Sequence, residues 1–185
     1  MIPVPRPKAG LPPGQLHTSI GMINGSYAGA TSNTFSISQS LNLEYEIFYN
    51  TRMSYVARAQ IAIDPTTGKM VYYGGFLGSR YYFKSTGMIF DNTTQDITFR
   101  SIPKWRFYMG WDVGIAQVVV AEVGPSLTAL STMLDFGGHV GSIYQLGKTW
   151  GIDVQLGYSY GYGFSTVSVT GTAMKLWVGG VYYFD

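Results

Sequence analysis

The residues best able to do chemistry in this chain are few and widely spaced. Glu44 and Glu46 stand two apart in FSISQSLNLEYEIFY (35–49), so in an extended chain both carboxylates share one side. Arg58, Arg80, Asp112, Asp135, His139, Asp153 and Lys175 sit singly in other alternating stretches. Paired carboxylates, or a histidine beside an acid, are the ordinary parts of an acid–base site. A nucleophilic site also needs a hydroxyl or thiol within reach of the base. In GGHVGSIY (137–144), position 141 is glycine and Ser142 falls on the face opposite His139, while cysteine is absent altogether. Metal ligation is equally thin: His17 and His139 are the only imidazoles, and DNTTQD (91–96) lacks the length and the glycine of a calcium loop. GYGF (161–164) lies inside an alternating stretch and not between a strand and a helix, so it is no phosphate loop. The expectation is therefore no catalytic residue, no metal and no cofactor.

The elements that must carry these residues are strands. In 35–49 the odd positions are Phe35, Ile37, Leu41, Leu43, Tyr45, Ile47 and Tyr49, and the even ones are mostly Ser, Asn and Glu. That is a period of two. Eight such stretches are predicted, at about 18–28, 34–49, 52–63, 69–84, 105–122, 127–146, 149–163 and 171–184. YNTR, DPTTGK, EVGPS and LGKT supply turn chemistry between them. In TSIGMINGSY (18–27) alone the two faces are mixed. Five of the eight prolines fall in the first sixteen residues, which predicts an extended arm over 1–16 and a barrel over 17–185. No apolar h-region follows Met1, so no signal peptide is expected in the sequence as it stands.

Composition decides which face points outward. Charged residues make up 12% of the chain and aromatic residues 16%, with 24 glycines. A soluble surface needs about twice that charge. The lumen of an eight-stranded barrel is only wide enough for side chains to fill it, so the bulky face is expected outside and the small polar face inside. Parity then sends Glu44, Glu46, Arg58, Arg80, Asp112, Asp135, His139, Asp153 and Lys175 into the lumen, where charges must pair. Aromatics collect near strand ends, as in the girdles of a transmembrane barrel. A net charge of +2 without a basic run leaves no footprint for nucleic acid.

On these residues the chain resembles the small eight-stranded outer-membrane barrels of Gram-negative bacteria, the OmpA/OmpX/OmpW-like group. Its most specific stretch is MKLWVGGVYYFD, where Leu176, Val178, Gly180, Tyr182 and Phe184 alternate into an aromatic, like the terminal signal read by the barrel-assembly machinery; Asp185 departs from that pattern. The resemblance implies an all-β, up-and-down antiparallel transmembrane barrel with a filled polar lumen, in a Gram-negative outer membrane. It also implies both termini in the periplasm, which puts the longest connector, 85–104, on that side with the arm. The expected function is a structural anchor or assembly subunit whose periplasmic face meets another envelope protein or a copy of itself. A narrow gated channel through the lumen is the alternative. The lipid-modifying enzymes found among such barrels are a remoter one, since the His/Ser/acid geometry fails here.

Overall fold

The computed structural model describes residues 14–28, 33–87, 90–94, 97–101, 103–122, 128–164 and 169–184. Residues 1–13 of the proline-rich arm, and the connectors 29–32, 123–127 and 165–168, lie outside the described residues, as does Asp185. Ten strands follow in order: β1 (Gly14–Ala28), β2 (Asn33–Phe48), β3 (Met53–Ile63), β4 (Met70–Phe83), β5 (Phe90–Thr94), β6 (Ile97–Ser101), β7 (Trp105–Glu122), β8 (Thr128–Gln145), β9 (Trp150–Gly163) and β10 (Thr170–Phe184). All but β5 and β6 close into one antiparallel barrel in the order β1-β10-β9-β8-β7-β4-β3-β2. The eight predicted stretches are these eight strands. The first begins earlier than expected: Gly14, Gln15 and Leu16, read as part of the arm, pair with Phe184, Tyr183 and Tyr182. Closure explains the difference, because the unpaired edge of β10 needs a partner along its whole length.

We call the rim carrying Gly14 and Phe184 the terminal end and the other the distal end. The β2–β3 and β8–β9 turns and the long β4–β7 connector stand at the terminal end. Within that connector β5 and β6 form a separate hairpin, pairing Phe90 with Ser101 through Thr94 with Ile97. At the distal end the β3–β4 turn is closed by Asp64, whose carboxylate accepts from the Thr66 amide at 2.8 Å and the Thr67 hydroxyl at 3.0 Å. Those bonds hold its carboxyl below the usual range. Gly68 takes φ +68° there, a conformation that costs glycine little.

Alternation is kept in the barrel strands over the positions whose burial is described. In β9 every odd residue from Gly151 to Gly163 is buried and every even one from Trp150 to Tyr162 is exposed. The ambiguous β1 follows the same rule, with Gln15, His17, Ile23 and Tyr27 inside and Ile20 and Met22 outside. The lumen holds more rings than expected: Tyr27, Phe48, Tyr72, Phe76, Tyr82, Tyr108, Trp177 and Tyr183 are buried in it. Glycine on the neighbouring strand makes the room. A Cβ on Gly141 would lie 2.3 Å from the Tyr108 ring across the β7–β8 pair, and one on Gly110 would lie 2.5 Å from His139 Nε2.

Candidate functional site in the lumen

All nine predicted lumen residues are buried. They meet because their strands bring inward positions to similar heights: Glu44 stands opposite Arg58 on β2–β3, and on β7–β8 Asp112 pairs with Gly137, two residues from His139. Across the lumen, Arg80 reaches Glu44 in a close ion pair and Glu46 at 3.1 Å. Arg58 holds Asp112 at 2.7 Å, Glu44 at 3.3 Å and Gln155 at 3.0 Å, with its guanidinium 5.1 Å from the Trp177 ring. Nearer the distal end, Lys175 lies 3.6 Å from Asp135 and above the rings of Tyr72 and Phe76. Tyr72 donates to Asp135 at 2.6 Å.

Several members of the network were not foreseen. His17 sits with Nδ1 2.8 Å from Asp153 and Nε2 3.1 Å from Glu46, beside Arg80 at 3.3 Å. Tyr108 donates to Asp153 at 2.9 Å, and Tyr82 to Glu46 at 2.9 Å. Arg106 donates to Gln15 at 3.0 Å, Gln145 at 2.8 Å and the Gly87 carbonyl at 2.6 Å. A signal existed for most of these. Tyr82 lies two residues from Arg80, and Tyr108 two from Arg106 and four from Asp112, so parity alone puts them inside. Gln15 and His17 were hidden because β1 begins at Gly14, before the stretch predicted from residue 18.

Charge balance follows from this inventory. Among the described residues, five buried carboxylates (Glu44, Glu46, Asp112, Asp135, Asp153) face four buried arginine and lysine side chains (Arg58, Arg80, Arg106, Lys175). His17, between two carboxylates that each take a proton donor, is placed to supply the fifth. His139 is differently held: Arg80 Nε donates to its Nε2 at 3.3 Å, and its Nδ1 faces Asp112 at 3.2 Å, which suits a neutral ring.

The polar middle is sealed on both sides. Toward the distal end Ile23, Tyr27, Ala62, Val118 and Met133 pack into one apolar cluster; toward the terminal end Phe48, Tyr82, Ile143, Val181 and Tyr183 pack into another. The terminal mouth is covered further by residues 85–87, where Gly87 donates to the Thr51 carbonyl at 2.8 Å and packs on the Tyr82 ring. The principal concavities, of about 860 and 680 Å³, open on the outer wall around Leu43, Ala59, Gly75 and Ile115, outside the lumen.

That outer wall identifies the setting. At the strand positions whose orientation is described, every Asp, Glu, Lys and Arg points inward and none outward. The outward side chains form a belt, with Leu41, Leu77, Ile115, Leu134, Leu156 and Val178 around its middle. With ~2.6 Å of height per tilted residue, the stretch from Trp150 to Phe164 spans ~36 Å, close to a bilayer with its interfaces. Aromatics ring the terminal rim: Tyr144 packs on Trp105 and Phe107 on Phe83, while Trp150, Tyr182, Phe184 and Tyr45 form a second chain of contacts. No protein-family model matches the chain, nor does the sequence of any curated protein. Among solved structures, the neisserial surface protein NspA aligns with TM-score 0.58 and 15% identity over 91% of this chain and 97% of its own. The outer-membrane protease OmpT of Escherichia coli aligns with TM-score 0.52 and 6% identity over 93% and 97%. The chain has the fold of the outer-membrane β-barrels. At these identities the likeness concerns fold alone. The barrel's last strand carries the alternation expected of the terminal signal, with Leu176, Val178 and Phe184 exposed outside and Trp177 buried inside.

Proposed function

We propose that the protein is an integral outer-membrane barrel of a Gram-negative bacterium that serves as a structural anchor or assembly subunit, inserted by the barrel-assembly machinery and making its contacts at the periplasmic end. The observation that carries this reading is the position of β5–β6: among the described residues it is the one element outside the barrel wall, and it stands at the terminal end. A hairpin too short to be stable alone gains from a surface to pack on. The partner is another envelope protein or a second copy. The lumen supports the same reading, since its charges are consumed in mutual pairing and its ends are closed by apolar clusters.

The same reading is of a protein that is not an enzyme, and the placement of its histidines supports it. The two His–Asp pairs, His17–Asp153 and His139–Asp112, lie within the sealed interior, beyond the reach of a lipid or peptide. The test is to delete residues 2–13 and replace 88–102 by a short Gly-Asn turn, a cut placed after Gly87 because Arg106 holds its carbonyl. The trimmed barrel is expected to insert normally and lose co-purifying envelope protein or self-association. Retention of every interaction and phenotype by the trimmed form refutes the proposal.

A further inference from the structure

We propose that the terminal rim is a docking surface for anionic phospholipid headgroups. Four exposed cations, Arg52, Lys84, Lys104 and Lys148, occupy the three connections at that end. In barrel order these connections join β9-β8, β7-β4 and β3-β2, so each connection at the terminal end carries at least one exposed cation among the described residues. The segments 49–52, 84–87, 103–104 and 146–149 contain no Asp or Glu. The β10–β1 seam between them carries Tyr182 and Phe184 at this rim, without a cation among the described residues. At the distal end the described β3–β4 turn pairs one acid, Asp64, with one base, Lys69. Among the described residues, the exposed positive charge left unbalanced by an acid therefore lies at the terminal end.

Height identifies the ligand. Lys84 Nζ lies 5.5 Å from the Phe107 ring and Lys104 Nζ 5.6 Å from the Tyr144 ring, so both ammonium groups sit at the aromatic girdle that marks the membrane interface. The groups found at that level are headgroup phosphates, and cations on apolar stems reach them by snorkelling. The backbone holds the cations in place: the Lys104 carbonyl accepts from Gln145 at 2.9 Å and the Arg52 carbonyl from Tyr82 at 2.7 Å. Lys84 also takes φ +68°, a conformation that favours glycine or asparagine.

The experiment uses the full chain in nanodiscs of phosphatidylethanolamine with a minor fraction of phosphatidylglycerol. Native mass spectrometry and the motionally restricted fraction of spin-labelled phosphatidylglycerol report the lipid retained at the wall. Phosphatidylglycerol should be enriched on the wild type, and less so as salt rises. K84Q and K104Q should each weaken that preference about fivefold; R52Q/K84Q/K104Q/K148Q should abolish it, while K84R/K104R and the distal K69Q keep it. The heat-dependent gel shift of each variant verifies folding, and the exposed single variants carry the test if the quadruple one fails to insert. An unselective wild type overturns the proposal, as does a quadruple variant that keeps its preference. Displacement of the lipid by millimolar inorganic phosphate overturns it too, since that marks a discrete anion site. Trimming 88–102 leaves all four cations in place, so this surface and the periplasmic partner fail independently.

Discussion

Glu46 is the most heavily committed group in the lumen, and its removal has a calculable effect. Its carboxylate accepts from Gln15 at 2.5 Å, from Tyr82 at 2.9 Å, from Arg80 and His17 at 3.1 Å, and from the Ser54 hydroxyl. Glu46→Ala strips five donors of their acceptor and leaves Arg80 with Glu44 alone, so the loss should fall near ~3–5 kcal/mol, the cost of breaking a buried ion pair from one side. Glu46→Gln keeps the volume and one acceptor oxygen, and about 2 kcal/mol is expected, the worth of one hydrogen bond to a charged group. Tyr82→Phe, which deletes a single donor, should cost ~1 kcal/mol. The decisive quantity is the coupling between Glu46→Gln and Arg80→Met, expected at about 1–3 kcal/mol for partners in one network. Urea-driven unfolding from lipid vesicles, followed by tryptophan fluorescence, measures each corner of the cycle. A coupling near zero, or a Glu46→Ala cost below ~1 kcal/mol, refutes the view that this network stabilises the barrel.

Other consequences are accessible to simpler measurements. Planar-bilayer recordings on the wild type should show no stable conductance, because apolar clusters close both ends; steady openings altered by neutralising Glu46 or Arg80 would instead establish a pore. Gly110→Ala places a Cβ 2.7 Å from the Ser79 carbonyl and 2.5 Å from His139, and should destabilise the barrel by ~1–3 kcal/mol in the same unfolding assay. Leu156→Arg, on the outward face in the middle of β9, should cost ~2–4 kcal/mol in vesicles, whereas a comparable change at a rim position such as Leu146 should cost little.

Much of this molecule is legible in its residues, for a physical reason. A wall one residue thick between lipid and a narrow lumen forces a choice at each position, so the period of two in FSISQSLNLEYEIFY or WGIDVQLGYSYGYG reports burial directly. The nine lumen charges followed from that parity. The inward rings did not, since a tyrosine reads as bulky by composition while Tyr72, Tyr82 and Tyr108 serve as hydrogen-bond donors beside glycine-lined space. Which charges meet was hidden as well: Arg58 and Gln155, or His17 and Asp153, are brought together by closure of the cylinder across more than half the chain. The β5–β6 hairpin has apolar residues on both sides of a polar tip in MIFDNTTQDITF (88–99), but nothing in those residues announces that Arg106 ties the base of the connector across the mouth.

The seam between β1 and β10 sets a timetable for biogenesis. Gly14 pairs with Phe184 and Ala28 with Thr170, so the first strand made waits for the last before it gains its second neighbour. Closing so long a loop early is entropically unfavourable and kinetically slow. During synthesis and transit the chain has no complete tertiary structure to adopt, and its outward residues have no lipid to meet. Until both edge strands are present the cylinder cannot close, and a fragment ending before residue 170 is expected to remain an open sheet with two unpaired edges and not a smaller barrel.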